Sequence, residues 1–396
     1  MADLRSAGRN CRRLGRRTGR SCRMNFIWSH LFSSSPRRIV RPAARRKQQA
    51  PPVGADWLAL AQAPPDRSRT VYDPMGAALS LRKSDVLAHG GEGVIFSFAK
   101  NPAFLIKVCK DDTLRDSRKL AAFRDRLNAM LALVECRNAP FLAWPLMPVF
   151  DQNKNVIGFV MRKNSGRTLR ALYAPCQVRR FFPGWDRLSV TKVALNLVNA
   201  VQMLARHRVL VNDFNPDNFL VDPLGRIRLI DCDSFQIPGA GDNQNTFLTR
   251  TFTPEYTAPE LLFHPELFNR ERTPEQVRFS LAVVVYMILM SGLHPYAQCG
   301  GGDPVENLKS GKCPLARRDG VRLPVGWYKS VSWLTPGLKH LFIRMFVDGH
   351  HEPLKRPMLG ELKNELENFI NVMRSSKNPN QRAILPEKVK RKEKVV

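Results

Sequence analysis

A change of hydrophobic pattern near Gly166 constrains the fold of this chain more than any other feature of the sequence. Before it, short runs rich in β-branched and aromatic residues predict strands at 94–98, 104–108, 146–151 and 156–162. After it, apolar residues recur at every third or fourth position and predict helices at 189–205, 278–290, 338–346 and 359–373. A further amphipathic helix is predicted within 112–136. A β-rich part followed by a helix-rich part predicts an α+β protein with two lobes.

The positive charge of the chain is concentrated at its ends. The net charge is +29, and residues 1–50 alone contribute +13, with thirteen arginines and one lysine against a single acid. Residues 374–396 contribute a further +6, which leaves the region between only mildly basic. We therefore expect basic, disordered tails at 1–65 and 374–396.

The arginine-rich N-terminal region has several interpretations. Its composition is that of an organelle transit peptide, but it shows no clear amphipathic period. A plain solvated tail, or a true start of translation at Met24, would explain it as well. Charge alone would also let the tails contact nucleic acid or an anionic surface. No recognised nucleic-acid motif accompanies that charge, so a nucleic-acid-binding function is not favoured.

The cysteines and the apolar runs bear on the location of the protein. The eight cysteines are scattered, with no CxxC pair and no cluster at zinc spacing, as expected in a reducing compartment. The longest apolar run, Phe279 to Leu293, is short for a membrane span and predicts a buried core helix. These observations favour a cytoplasmic protein without a membrane span.

A glycine-rich stretch lies between a strand predicted to begin near Leu79 and the strand predicted at 94–98. It runs from Leu87 to Val94 and contains Gly90, Gly91 and Gly93. Glycines after a strand let the backbone approach a phosphate closely, although a hairpin turn without a ligand has the same composition. Lys107 lies fourteen residues after Gly93 in an apolar strand, and a lysine there often faces solvent.

Two later segments supply carboxylate and amide oxygens. Asp213 is followed by Asn218 five residues on, and Asp231 ends a later apolar strand. Transfer of a phosphoryl group from ATP needs a carboxylate near the acceptor hydroxyl and oxygen ligands for Mg²⁺. Each segment alone is also ordinary turn chemistry, but their order and spacing together match the motif set of the protein kinases.

From about 79 to 369 the sequence resembles the protein-kinase superfamily. Thr253 to Glu260 is similar to the end of an activation segment, closing on Ala-Pro-Glu, and Arg356 to the late arginine that pairs with that glutamate. The strings "NPxN" and "LIDCDSFQ" resemble a subgroup of bacterial, eukaryotic-like Ser/Thr kinases. The resemblance implies the two-lobed kinase fold, with an N-lobe at 79–162, a C-lobe at 163–373 and a hinge at Val160-Met161-Arg162.

The resemblance also implies a role for each candidate residue. Asp213, Lys107 and Asn215 would be catalytic, and Asn218 with Asp231 would hold Mg²⁺. ATP would be bound by the following residues: Leu87, Gly90, Gly91, Gly93, Val94, Lys107 and Met161. Structural or regulatory roles would fall to Asp125, Asp233, Thr249, Thr251, Thr253, Glu260 and Arg356. The implied partners are protein substrates and, by analogy, a PP2C-type phosphatase and a von Willebrand A-like protein.

The sequence departs from the family pattern at several positions. No glutamate lies at the expected place after Lys107, so Asp125 is the predicted partner of that lysine. Asn212 and Asn215 replace a usual arginine and lysine, and Val277 replaces the aspartate at the start of the buried helix. We expect an active kinase, with an ATP-binding pseudokinase scaffold as the alternative. A small-molecule kinase is less favoured, because the complete segment at 253–260 suits a peptide platform. The three threonines are candidate autophosphorylation sites or ordinary loop residues.

Overall fold

The computed structural model describes residues 69–98, 101–240, 245–299, 302–316, 321–324 and 326–384. The predicted tail at 1–65 and the end of the C-terminal tail lie outside the described residues. The chain divides into two compact units. One comprises the residues up to Leu120 together with Met147–Met161, and the other comprises Ala121–Leu146 and the residues from Arg162 onward.

The first unit is built on a seven-stranded sheet. Its strands are β1 (Arg69–Tyr72), β2 (Ala78–Leu81), β3 (Val86–His89), β4 (Gly93–Ser97), β5 (Phe104–Cys109), β6 (Pro145–Phe150) and β7 (Val156–Arg162). They are ordered β2-β1-β6-β7-β5-β4-β3. β3, β4 and β5 form an antiparallel meander, and one face of the sheet buries a core that includes Val71, Phe96, Ile106 and Val108. The strands predicted at 94–98, 104–108, 146–151 and 156–162 are confirmed.

The sheet begins earlier than the predicted start of the N-lobe at 79. β1 lies wholly upstream of that residue and pairs with β2 along its length. The connecting turn is closed by Asp73, whose carboxylate accepts hydrogen bonds from the amides of Met75 and Ala77. The sequence analysis predicted a strand near Leu79 but missed β1, because β1 is only four residues long and begins with Arg and Thr.

Most of the second unit is helical. In chain order the helices are α1 (Asp111–Arg115), α2 (Ser117–Ala132), α3 (Val134–Asn138), α4 (Pro175–Phe181), α5 (Arg187–Arg206), α6 (Pro259–Phe263), α7 (Pro274–Leu289), α8 (Pro304–Lys309), α9 (Trp327–Val331), α10 (Pro336–Ile343), α11 (Gly349–His351), α12 (Leu359–Ser375) and α13 (Pro379–Arg382). The short α1 precedes Ala121 and belongs to the first unit. The predicted helix within 112–136 is divided into α1, α2 and α3, and the four later helix predictions are confirmed.

The core of the second unit surrounds α7. Every residue from Gln276 to Leu289 is buried, which confirms the prediction of a core helix from the apolar run. Tyr286 contacts Phe342 and Phe346 edge to face, at ring-centroid distances of 5.1 and 5.7 Å. The helix begins with a capping box in which Thr273 and Gln276 satisfy each other's backbone amides. A rigid apolar helix at the centre gives the surrounding loops a fixed support.

A small sheet in the second unit carries the loops with the candidate catalytic residues. It consists of β8 (Arg167–Thr168), β9 (Phe219–Val221) and β10 (Ile227–Leu229), ordered β10-β9-β8. β9 begins directly after Asn218, and β10 ends two residues before Asp231. Antiparallel pairing of β9 with β10 therefore brings the start of one strand beside the end of the other.

The helix α5 bears on the prediction that the protein has no membrane span. Among the described residues one helix, α5, is long and apolar enough to cross a membrane, and more than half of its apolar window is buried within the protein.

The first residues of the predicted C-terminal tail are ordered into packed structure, because α12 runs to Ser375 and α13 follows it. Gln381 is buried, and Arg382 pairs with Asp186 at 2.5 Å.

Candidate active site

The glycine-rich stretch of the first unit forms the turn between β3 and β4. The amide of Gly90 donates to the carbonyl of Gly93 at 2.8 Å, which closes the turn. A Cβ on Gly93 would lie 2.6 Å from the carbonyl oxygen of Val108, so pairing with β5 requires glycine there. A Cβ on Gly91 would meet no atom within 4 Å. The tip of the turn is therefore open, whereas Gly93 is explained by strand packing. Leu87 lies on β3 and is 52% exposed, and Val94 is half-buried on β4.

Lys107 lies in β5 opposite Ile95 of β4 and is only 6% exposed. The expectation that such a lysine faces solvent is therefore not met. The next strand across, β7, comes close to its backbone because Gly158 has no side chain, and a Cβ there would collide with the carbonyl of Lys107. Met161, the predicted hinge residue, is buried near the end of β7. The side chain of Lys107 is therefore buried on β5, whose backbone is closely packed against β4 on one side and β7 on the other.

Asp213 is the centre of a hydrogen-bond network in the second unit. Its side chain is buried, and its Oδ1 accepts from the amide of Asn215 at 3.1 Å and from Oγ1 of Thr253 at 2.7 Å. Its Oδ2 accepts from Nδ2 of Asn218 at 3.2 Å. These three donors fix the orientation of the carboxylate, as expected for a group that must meet a hydroxyl in a defined geometry.

Asn215, the third predicted catalytic residue, caps the turn that follows Asp213. Its Oδ1 accepts from the amide of Asp217 at 3.0 Å and from Nη2 of Arg170 at 3.4 Å. Arg170 also pairs with the carboxylate of Asp217 at 2.8 Å. Positive charge beside this turn is supplied by Arg170, whose side chain is half exposed.

Asn218 and Asp231 are brought together by the small sheet. The carbonyl of Asn218 accepts from the amide of Ile230 at 2.9 Å, which places it beside the residue that precedes Asp231. Because Nδ2 of Asn218 is directed to Asp213, the amide oxygen is oriented away from that carboxylate. Amide and carboxylate oxygens suit a hard divalent cation, so the two residues fit Mg²⁺ in their chemistry.

The backbone at Asp231 has an uncommon conformation. Its φ is +58°, in the left-handed region, and a 3₁₀ turn over Cys232–Ser234 follows. The amide and hydroxyl of Ser234 both donate to the carbonyl of Asp231, at 3.1 and 2.7 Å. Burial raises the pKa of the Cys232 thiol well above its ordinary value, so this side chain is protonated and serves as a small apolar anchor. Asp233 is buried in the same turn.

The predicted activation segment places its threonines in different surroundings. Thr251 is exposed, and its hydroxyl lies 3.3 Å from that of the half-buried Thr249. Thr253 is half-buried and bonded to Asp213. After it, Glu260 forms a bidentate pair with Arg356, with both oxygen–nitrogen distances 2.7 Å. The guanidinium of Arg356 is fully buried and also lies over the ring of Phe279. The structure thus brings together the glutamate and arginine that the resemblance paired.

A sequence profile of the protein kinase domain matches residues 87–390. The chain belongs to the protein kinase family. The predicted two-lobed α+β kinase fold and the predicted kinase resemblance are confirmed by this match. The narrower subgroup based on the two sequence strings stays a prediction.

Curated relatives include bacterial and animal kinases. Protein kinase YegI of Escherichia coli (strain K12) is 31% identical over 231 residues, covering 57% of this chain and 34% of that protein. Its counterpart in Escherichia coli O157:H7 is 30% identical over 232 residues, with 58% and 34% covered. Protein kinase C-like 1 of Caenorhabditis elegans is 29% identical over 201 residues, with 50% and 25% covered. The kinase described here thus matches only about a third of the length of its bacterial relatives.

The predicted pairing of Asp125 with Lys107 stays a prediction. Asp125, the predicted partner of Lys107, is half exposed and pairs with its neighbour Arg124 at 3.0 Å. The next residue, Arg126, is turned inward and hydrogen-bonds backbone carbonyls that follow Asp231. A shift of one residue rotates a helical side chain by about 100°, which separates these two neighbours. Sequence reasoning missed Arg126, although it lies four residues before the buried Met130 and so on the apolar face of α2.

The loop before Asp213 is anchored by contacts far along the chain. Val277, at the start of the core helix, is buried and apolar. The loop is held through Gln236, whose backbone forms two hydrogen bonds of 2.9 Å with Leu210. The side chain of Gln236 accepts from the amide of Arg272, just before α7, at 2.7 Å. This buried glutamine links the loop before Asp213 to the segment that leads into the core helix, a link that sequence reasoning did not identify.

Proposed function

We propose that this chain is a protein kinase that transfers the γ-phosphate of Mg-ATP to Ser or Thr hydroxyls of protein substrates. The observation that carries the proposal is the bond between Asp213 and the hydroxyl of Thr253. It supports the proposal because a threonine side chain already meets this carboxylate at a hydrogen-bond distance. Membership of the family and the relatives named protein kinase support the same class of reaction.

The proposed mechanism assigns proton handling to the second unit. Asp213 would orient the substrate hydroxyl and accept its proton at a carboxylate oxygen, held in place by the donors from Asn215 and Asn218. A substrate hydroxyl would lie beside Thr253 Oγ1 and meet the same carboxylate. The half-exposed guanidinium of Arg170 would add positive charge near the acceptor.

Nucleotide binding is assigned to residues of the first unit, and Mg²⁺ binding to residues of the second. The open tip of the glycine-rich turn at Gly91 and the buried ammonium of Lys107 would bind the phosphates. Asn218 and Asp231 would hold Mg²⁺ through oxygen atoms, with Asp233 as a buried neighbour. Bound Mg²⁺ would neutralise charge on the phosphates. Leu87, Val94 and the backbone of Met161 are proposed to contact the nucleotide.

Several narrower statements also remain proposals. The lobe boundaries at 79–162 and 163–373, an active rather than a scaffold kinase, and regulatory phosphorylation at Thr249 or Thr251 rest on the resemblance. A cytoplasmic location rests on the scattered cysteines, six of which are described and free of disulfides. A PP2C-type phosphatase and a von Willebrand A-like protein as partners rest on analogy alone, and contacts of the tails with nucleic acid or anionic surfaces rest on charge.

The experiment is transfer of ³³P from [γ-³³P]ATP to the protein itself and to a basic protein substrate, followed by phosphoamino-acid analysis. We expect phosphoserine or phosphothreonine, lost in Asp213→Asn. Asp348→Asn removes an exposed carboxylate from the same unit and should keep wild-type incorporation. Phosphotyrosine would overturn the acceptor class. Absence of transfer, with Mg-ATP still raising the thermal midpoint, would favour the pseudokinase scaffold.

A further inference from the structure

Arg126 of α2 joins two stretches of the chain that follow Asp231. Its Nη2 donates to the carbonyl of Asp233 at 2.7 Å and also to the carbonyl of Phe235. Its Nη1 donates to the carbonyl of Leu248 at 3.3 Å and lies 3.5 Å from that of Phe247. All these acceptors are neutral backbone groups. The flat, five-donor fork of a guanidinium suits several carbonyls at once, which the single ammonium of lysine does not.

The two stretches are also paired with each other. The amide of Phe247 donates to the carbonyl of Ile237 at 2.9 Å. Phe235 packs against Trp144 at a ring-centroid distance of 6.5 Å, and the indole of Trp144 donates to the carbonyl of Met130 on α2. Arg126 therefore contacts two separate stretches of the segment that follows Asp231. Its helix, α2, is also linked to Phe235 through Trp144.

The conformation of Asp231 needs such support. A non-glycine residue at φ +58° is held in a sparsely populated region of backbone conformation, which is strained. Cys232 fixes one side of the turn in the core, and its thiol approaches the carbonyl of Leu229 at 3.5 Å. Arg126 holds the other side through the carbonyls at 233 and 235. The turn is thus held at two points that directly follow the strained residue.

We propose that Arg126 is a positioning residue that keeps Asp231 in the conformation able to bind Mg²⁺. Its four carbonyl contacts tie α2 to the segment after Asp231. The role of Arg126 in Mg²⁺ binding rests on the proposed function. Its contacts with the four backbone carbonyls, called the clamp below, do not depend on that function.

The first test is hydrogen exchange followed by mass spectrometry on the full chain without nucleotide. Arg126→Met keeps an unbranched apolar stem at this position but removes the hydrogen-bond donors of the guanidinium. We expect exchange in peptides covering 231–237 and 246–249 to rise about tenfold or more, while peptides from α7 are unchanged. Arg126→Lys should give a partial rise. Arg124→Met, which changes the exposed neighbour, should match the wild type. An unchanged segment, or a rise spread evenly over the second unit, would overturn the clamp.

The second test separates positioning from stability. In Arg126→Met, the Mg²⁺ concentration for half-maximal phosphate transfer should rise about fivefold or more at saturating ATP, with much of the rate recovered at high Mg²⁺. A merely structural role would lower the thermal midpoint and leave the Mg²⁺ dependence as in the wild type, which would contradict positioning. If the wild type transfers no phosphate, the proposed function fails, and the exchange experiment still decides the clamp.

Discussion

Thr253 donates a hydrogen bond of 2.7 Å to Asp213, a residue forty positions earlier in the chain. This contact joins the segment before Ala-Pro-Glu to the carboxylate that we propose as the proton acceptor. It gives Thr253 a structural role that its two neighbours in the segment, Thr249 and Thr251, do not share. A threonine that is engaged in this way is a poorer candidate for modification than the exposed Thr251.

Thr253→Val tests the importance of this contact for turnover. Removing a hydrogen bond to a charged group costs about 1.5–3 kcal/mol, so phosphate transfer should fall by about tenfold to a hundredfold. Thr251→Val removes an exposed hydroxyl from the same segment and should change the rate by less than about twofold. Initial rates at saturating ATP measure both. Equal rates in the two variants would show that the contact does not orient Asp213.

Lys107→Met and Asp125→Asn together test whether phosphate transfer needs the buried lysine and whether it needs Asp125. Loss of the buried ammonium should lower transfer by about a factor of 100 or more while the protein stays folded, because a preorganised positive charge is removed. Asp125 pairs with Arg124 at the surface, so Asp125→Asn should leave the rate within about twofold. Steady-state rates with circular dichroism as a folding control measure this. A large loss of phosphate transfer in Asp125→Asn would support Asp125 as the partner of Lys107.

The sequence predicted the elements more completely than the contacts between them. Lys107, Asp213 and Asn218 could be singled out because each follows a local pattern of residue type and spacing. Asp125 and Arg126 could not be told apart, since a one-residue error in helical phase exchanges an exposed side chain for an inward one. The contacts of Thr253 and Gln236 join residues far apart in sequence, and no local pattern records such pairs.

The Glu260–Arg356 pair predicts a large difference between a buried and an exposed ion pair. Arg356→Met would leave Glu260 without its bidentate partner and should cost about 3–5 kcal/mol of the free energy of unfolding. Lys355→Met breaks the adjacent exposed pair with Glu352 and should leave the free energy of unfolding close to that of the wild type. Thermal and urea denaturation measure both. Similar small losses in the two variants would contradict a structural role for the buried pair.

His294 predicts a loss of stability in mild acid. Burial lowers its pKa to about 4, and the ring is held in its neutral form between the amide of Tyr296 at Nδ1 and the carbonyl of Glu255 at Nε2. Because the unfolded state takes up a proton first, the free energy of unfolding should fall as the pH drops from about 6.5 to about 4.

The contribution of His294 to that fall is about 3 kcal/mol over this range. Urea unfolding at several pH values should therefore show a shallower pH dependence in His294→Gln than in the wild type. Burial also lowers the pKa of His350, so part of the dependence should remain in the variant. Identical pH profiles for the variant and the wild type would exclude a buried, neutral His294 as the cause.

In the proposed function, Asp213 accepts the proton of a substrate hydroxyl during phosphate transfer. The most direct measurement is the single-turnover rate of transfer from Mg-[γ-³³P]ATP in the wild type and Asp213→Asn, with nucleotide binding followed in parallel by thermal shift. We predict that the variant binds Mg-ATP as the wild type does and transfers phosphate slower by about a factor of 100 or more. Equal transfer rates in the two proteins would contradict the account.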